Sequence, residues 1–251
     1  MERPQIPILL TSSVVAYDKG VTLKDTNERI RLALQSVEEW LKIDSSLMLV
    51  LCDGSSYDFS ERVSCQYPQA RIECLPFENN QELVEKYGRG YGEGEIVRHA
   101  LKYSKFIASA GCFAKCSSKL WVQNFKACAA DWTEGTLFKG VFLDVFSPFR
   151  QTEFSYIDTR FYITSTAVYR QHFENAHLQI GRKKGYGLEN SFHDILLDHK
   201  LTKSLLSVSP VICGVGGGIG TYYNNDLIRR VKEGLRLQLV RRHPTFRELF
   251  A

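Results

Sequence analysis

Residues 47–52, LMLVLC, form an apolar run with no polar interruption, and the run halts at Asp53-Gly54. A strand with one wet face alternates polar and apolar residues. An unbroken run fits a strand covered on both faces, as in a parallel sheet flanked by helices. Such a strand stops at a carboxyl edge, and in open α/β folds ligands sit outside that edge.

The chain repeats this grammar. Residues 7–13 (PILLTSS) read as a strand running into small hydroxyl residues, and 25–42 read as an amphipathic helix started by Asp25 or Thr26. Further strand-like runs lie at 71–75, 137–146, 154–163 and 207–213, and helical patterns at 93–104, 117–130, 188–200 and 226–240. Strands alternating with helices predict an α/β fold with a mostly parallel, Rossmann-like sheet and helices on both faces. No Pro/Ser/Gly-rich linker divides the 251 residues, so one domain is expected. With 44% hydrophobic and 24% charged residues, the composition is that of an ordinary globular chain.

Several function classes drop out. Nowhere do eighteen apolar residues follow one another, and the run Ile8 to Leu10 is too short for a signal core, so a cytoplasmic protein is expected. Seven scattered cysteines suit reduced thiols. Cys112 and Cys116 would need His99 or Cys128 to hold zinc; the alternative is two half-buried residues on one helix face, and no metal site is assigned. Zinc-finger spacing and an RNP-like signature are both missing, so nucleic acid is not an expected partner.

The strand ends direct attention to Thr11, Asp53, Asp144 and Gly214. Asp53 could accept both hydroxyls of a ribose, Gly54 could admit a ligand to backbone N–H groups, and Ser55 adds a hydroxyl; an Asp-Gly turn with Ser55 as a cap is the plainer alternative. Gly88 to Glu95 (GRGYGEGE) reads as a glycine-rich loop before a helix beginning near Glu95, with Gly90 and Gly92 approaching a ligand and Glu93 capping the helix or facing a hydroxyl. Lys115 and Lys119 flank a Ser117-Ser118 helix start and could grip a diphosphate, or be surface lysines on an amphipathic helix. In 156–162 strand alternation puts Asp158, Arg160 and Tyr162 on one face. Glu189 and His193 share a helix face at i, i+4, where a carboxylate caps the helix or serves as a general base.

As an ordered series, VLCDGSSYDFS, GRGYGEGEIVRHAL, FAKCSSKLWVQNF, YIDTRFYI, GYGLENSFHDIL and PVICGVGGGIGTYY resemble bacterial glycosyltransferases and capsule or lipopolysaccharide biosynthesis proteins, over about residues 7–225. The resemblance implies a GT-A-like domain over 1–225 that uses a nucleotide-sugar donor and a glycan or lipid-linked glycan acceptor, leaving 226–251 as a C-terminal basic amphipathic helix and tail. Two departures stand out. The family's third block runs K-x-[ST]-G-[RK]-[LY], whereas Lys115 here is followed by Cys116, Ser117, Ser118 and Lys119; and no Asp-x-Asp is present to hold a divalent ion. Either Lys115 and neighbouring cations neutralise the leaving phosphate, or Glu93-x-Glu95 holds a magnesium or manganese ion.

These readings combine into an expected glycosyl transfer with Glu189 as the base, Asp158 next in line, and Asp158 with Arg160 on the sugar or acceptor. Thr11, Asp53, Gly54, Ser55, Gly90, Gly92, Glu93, Lys115, Lys119, Arg160 and His193 would bind the nucleotide sugar, and Gly216 and Gly217 would sit in a closing loop. The alternatives are a Rossmann-like nucleotide or methyl-donor enzyme and a non-catalytic scaffold. In 226–242, Leu227, Ile228, Val231, Leu235 and Leu239 recur at helical spacing among arginines, which fits either peripheral binding to an anionic membrane or packing on the domain's own sheet.

Overall fold

A computed structural model describes residues 5–130, 132–181, 185–218, 220–223 and 227–250. In chain order the elements are β1 (Ile8–Ser12), α1 (Thr26–Ile43), β2 (Met48–Asp53), α2 (Ser60–Gln66), β3 (Arg71–Pro76), α3 (Gln81–Tyr87), α4 (Arg89–Tyr103), α5 (Lys105–Ala110), β4 (Cys112–Ser117) and β5 (Leu120–Val122). There follow α6 (Phe125–Ala129), β6 (Thr136–Leu143), β7 (Glu153–Ser165), α7 (Thr166–Val168), α8 (Leu188–Asp198), β8 (Ile212–Val215), β9 (Tyr222–Tyr223) and α9 (Leu227–Arg242). The main sheet has the order β3-β2-β1-β4-β7-β6. Its first four strands are parallel, and β7 and β6 join antiparallel. The fold is α/β and GT-A-like, with a mostly parallel Rossmann-like sheet between helices.

Strand alternation divides the core in two. Ile8, Leu10, Leu49 and Leu51 face the α1 side, where Ala33, Val37 and Trp40 pack. Leu9, Val50 and Cys52 face the other side, against Val97 and Ala100 of α4. Asp25 caps α1 by accepting from the Glu28 N–H, and Ser36 and Trp40 both donate to the Leu120 carbonyl, tying the helix to β5. β5, β8 and β9 form a small antiparallel sheet.

Three local expectations are corrected. The helix predicted from residue 117 is instead the end of β4, a turn at 118–119 and β5, with only Phe125–Ala129 helical. Cys112, Ala114 and Cys116 share a face because strand residues two apart do. Burial pushes the Cys112 thiol up to about 11 and those of Cys116 and Cys128 to about 12, so the three are apolar filling. The glycine-rich stretch is not a loop: it forms the first turns of α4, from Arg89. Its glycines allow close packing, since a Cβ on Gly94 would lie 2.2 Å from the His177 ring.

At the other end of the chain, Val240 and Phe250 enter the core beside Leu205. No described helix is long and apolar enough to cross a membrane.

Candidate active site

Strand order makes the site. The chain passes from β1 outward to β2 and β3, then returns to place β4 on the other side of β1, and at such a reversal the loops leaving the carboxyl ends separate into a crevice. A cleft of about 1040 Å³ opens there, walled by the β1 and β4 ends, α4, β7, the start of α8, the glycine-rich loop after β8, and α9.

Thr11, Ser12, Ser118 and Lys119 come from the two strand ends, which are joined by the Ser118 N–H donating to the Thr11 carbonyl at 2.9 Å. Lys119 is buried, yet its ammonium makes no hydrogen bond or ion pair among the described residues. Burial and the nearby Arg29 guanidinium pull its pKa down to about 7, against an opposing pull from Asp53. The Oγ atoms of Ser12 and Ser118 are buried and also without a partner. Arg29 enters from α1, donating to the carbonyls of Ser13 (2.7 Å), Leu23 (2.8 Å) and Gly217 (3.2 Å). Sequence reasoning missed Arg29, and named Ser12 and Ser118 only as a strand-end hydroxyl and a helix-start cap. The available signal was an arginine at 29 on the stripe continued by Ala33, Ser36 and Trp40, all buried.

On β7, the sheet neighbour of β4, Asp158 and Arg160 form a bidentate pair at 2.8 and 2.5 Å. Burial would raise the Asp158 carboxyl, but Arg160 and Lys139 hold it below its ordinary value. Arg160 also lies 4.7 Å from the Tyr223 ring centroid. Glu189, one residue into α8, lines the cleft, and burial raises its pKa, with Glu93 adding repulsion and Arg89 and Lys115 opposing. Gly90, Gly92, Glu93, Gly216 and Gly217 line the cleft too.

Five candidate residues lie outside the lining. Asp53 is fully buried and accepts from the N–H groups of Val14 (2.9 Å), Ser55 (2.8 Å) and Tyr57 (3.3 Å) and from the Ser55 hydroxyl (2.6 Å), so its carboxylate knits the loops after β1 and β2 together. Ser55 accepts in turn from the Val15 N–H. Gly54 faces Asn79 and Ile96, whose atoms lie 2.4 and 2.9 Å from where its Cβ would be. Lys115 is fully buried, paired with Glu93 at 2.7 Å and donating to the Thr159 carbonyl at 2.8 Å. His193 bonds to the Phe154 carbonyl and lies in a separate cavity beside Phe246.

A ready-made cage of protein side chains for a divalent ion is not found among the described residues, which leaves room for an ion carried on substrate phosphates. Among the described residues no three His, Cys, Asp or Glu groups converge as donors. Glu93 and Glu95, two apart on a helix, point to different sides: Glu93 to Lys115, Glu95 to His177 at 2.6 Å.

No family model matches the chain, and no curated protein sequence matches it significantly. Solved structures do. An inositol-1-phosphate CTP transferase from T. maritima covers 96% of this chain and 98% of its own, with a TM-score of 0.50 and 9% identity. HddC from Yersinia pseudotuberculosis covers 83% of this chain and 93% of its own (TM-score 0.40, 11% identity). 4-Diphosphocytidyl-2C-methyl-D-erythritol synthase from Anaerococcus prevotii covers 93% and 99% (TM-score 0.42, 10% identity). At 9% identity the likeness to the first of these carries the fold alone. It also overturns the glycosyl-transfer expectation: a protein sharing this fold almost end to end is a CTP transferase, so a glycosyltransferase with a nucleotide-sugar donor and a glycan acceptor is no longer the reading of this chain. The nucleotide-enzyme alternative is the better supported one.

Proposed function

We propose that this chain is a nucleotidyltransferase that joins the nucleotidyl part of a nucleoside triphosphate to a phosphorylated small molecule. The carrying observation is the cationic lining of the cleft at the β1–β4 reversal, where the buried residue Lys119 lies near Arg29, with Arg89, Arg160, Arg230 and Arg236 also lining it. Arginine and lysine in a crevice screened from water favour phosphate groups and the charge that builds up when they react. The fold shared with an inositol-1-phosphate CTP transferase supports the same reading.

In the proposed step a phosphate oxygen of the acceptor attacks the α-phosphorus. The new P–O bond forms while the bond to the α–β bridging oxygen breaks, and pyrophosphate leaves with the electron pair. The attacking oxygen is already anionic, so no general base is needed. Glu189 then serves to accept hydrogen bonds from the acceptor's hydroxyls, and Arg160, held by Asp158, to steady a phosphate. Magnesium or manganese would enter on the triphosphate rather than on protein carboxylates. Pyrophosphate release, followed for CTP, UTP, ATP and GTP against a panel of sugar and polyol phosphates, tests this reading. A thermal-shift response of the same nucleotides should accompany it, since a ligand at 100 times its dissociation constant adds about 2.7 kcal/mol to the folded state. No shift with any triphosphate would sink the proposal.

We further propose that α9 rests on the anionic inner face of the cytoplasmic membrane. Leu227, Ile228, Val231, Leu235 and Leu239 are all exposed, while Arg229, Arg230 and Arg236 of the same helix line the cleft. An apolar ridge with basic flanks matches a bilayer's interface and its anionic headgroups.

A further inference from the structure

We propose that the switch-point end of the cleft is a built seat for a phosphate or pyrophosphate group, formed by Ser12, Ser118, Lys119 and Arg29. The carrier of that group follows from the nucleotidyltransferase reading above, on which the inference rests. The seat itself stands on separate ground.

Buried hydroxyls almost always find a hydrogen-bond partner, and a buried ammonium is costly unless it is paired. Here two hydroxyls break the rule within one corner, beside a lysine that is itself buried but whose ammonium faces the cleft. Ser12 Oγ and Ser118 Oγ are buried without a partner, and Lys119 has no hydrogen bond or ion pair among the described residues. All three line the cleft. Register explains their meeting: Thr11 pairs with Ser117 across β1 and β4, so the following residues leave the sheet side by side. Ordinary packing does not maintain two unsatisfied buried hydroxyls together beside an unpaired cation, whereas a tetrahedral anion would satisfy all three groups, since each hydroxyl can donate once and the ammonium three times.

Arg29 adds charge without freedom to leave. Three carbonyls hold its guanidinium, one of them from Gly217 in the glycine-rich loop. That loop is pinned from the other side, as Thr22 donates to the Gly218 carbonyl through both its N–H (2.8 Å) and its hydroxyl (3.0 Å). A Cβ on Gly217 would lie 3.8 Å from the Lys119 ammonium, so the loop passes directly over the corner. Carboxylates are kept off: Asp53 is taken up by its four donors.

Isothermal titration of the whole protein with pyrophosphate tests the seat, using Lys119→Met and Ser118→Ala. Each variant is expected to bind about tenfold more weakly or worse, as for loss of a charge-assisted contact. Each should also melt at the same temperature as the parent or higher, because an unsatisfied buried group has gone. Unchanged affinity in both variants, or no pyrophosphate binding by the parent, overturns the seat. If Lys119→Met does not fold, Ser118→Ala decides alone. Displacement of pyrophosphate by a nucleoside triphosphate assigns the seat to the nucleotide's phosphates, and displacement only by a phosphomonoester assigns it to the acceptor. Pyrophosphate binding without any response to nucleotides would leave the seat standing and remove the nucleotide reading; nucleotide binding indifferent to both substitutions would do the reverse.

Discussion

Glu93 reaches from α4 to the sheet and holds the Lys115 ammonium at 2.7 Å, where the Thr159 carbonyl is its other partner. Lys115 is fully buried and Glu93 keeps some contact with the cleft, so the pair bolts β4 to α4 beside the cleft. Glu93→Gln leaves that ammonium buried without a counter-charge, and unfolding in urea should show a loss of about 3–5 kcal/mol. A loss below 1 kcal/mol would mean that Lys115 finds water or another partner.

Gly94→Ala is expected to lower the melting temperature and cost about 1–3 kcal/mol. The added methyl would meet the buried His177 ring, which can yield only by breaking its 2.6 Å contact with Glu95. Calorimetry of the variant checks this, and an unchanged melting temperature would show that the packing around His177 has slack.

How much of this was legible in the sequence depends on how each element is buried. β2 announced itself because both faces are covered. β1, α1 and α8 were marked by alternation or by 3.6-residue spacing. β4 was missed because the buried Lys115 interrupts its apolar pattern, and a lysine satisfied by Glu93 across the fold has no local signature. α4 was read as starting late because glycine disfavours a helix locally, and only the neighbours that crowd Gly90, Gly92 and Gly94 explain its presence. The cleft's acidic and basic residues on β7 and α8 were legible from position along their elements. Arg29 was not, since its role depends on carbonyls of Leu23 and Gly217, the latter far along the chain.

The pH dependence should trace to Lys119. Its folded pKa is depressed to about 7 from the ordinary 10.5, so between those values the unfolded chain binds more protons and stability rises with pH. The charged groups acting on it are Arg29 and Asp53. Denaturation midpoints of the parent should therefore climb from pH 7 to pH 9 relative to those of Lys119→Met. Pyrophosphate affinity, compared in the same way, should fall over that interval as the free amine loses its charge. Parallel profiles for parent and variant would remove Lys119 as the titrating group.

Glu189→Gln is expected to raise the KM for the phosphorylated acceptor by about tenfold while changing kcat less than threefold, the pattern of a lost binding contact. Steady-state kinetics with the acceptor varied provides the check. A fall in kcat of about 10² or more with KM unchanged would instead mark Glu189 as a proton-transfer group.

Sedimentation with vesicles addresses α9. Binding to vesicles with anionic lipid at low salt, lost in about 0.5 M salt and in Leu227→Ser/Ile228→Ser, is the expected result. Equal recovery in the supernatant with anionic and neutral vesicles would exclude the membrane. Concentration-dependent dimerisation abolished by the same substitutions would mean that a second copy covers the ridge.

The order of the strands also governs when the cleft can come into being. Ser12 and Ser118 follow paired positions of β1 and β4 but are roughly a hundred residues apart along the chain, and their meeting requires β4 to pair with the edge of β1 that β2 leaves free. Pairings of such long sequence separation close late, after their loop entropy has been met by local structure. During synthesis the emerging β1–α1–β2–β3 unit therefore carries an open β1 edge with backbone N–H and C=O groups of Ile8 to Thr11 unpaired on that side, a template for wrong partners until β4 leaves the ribosome. An anion that occupies the finished corner would act on this last step, holding the two edges together only once they have met.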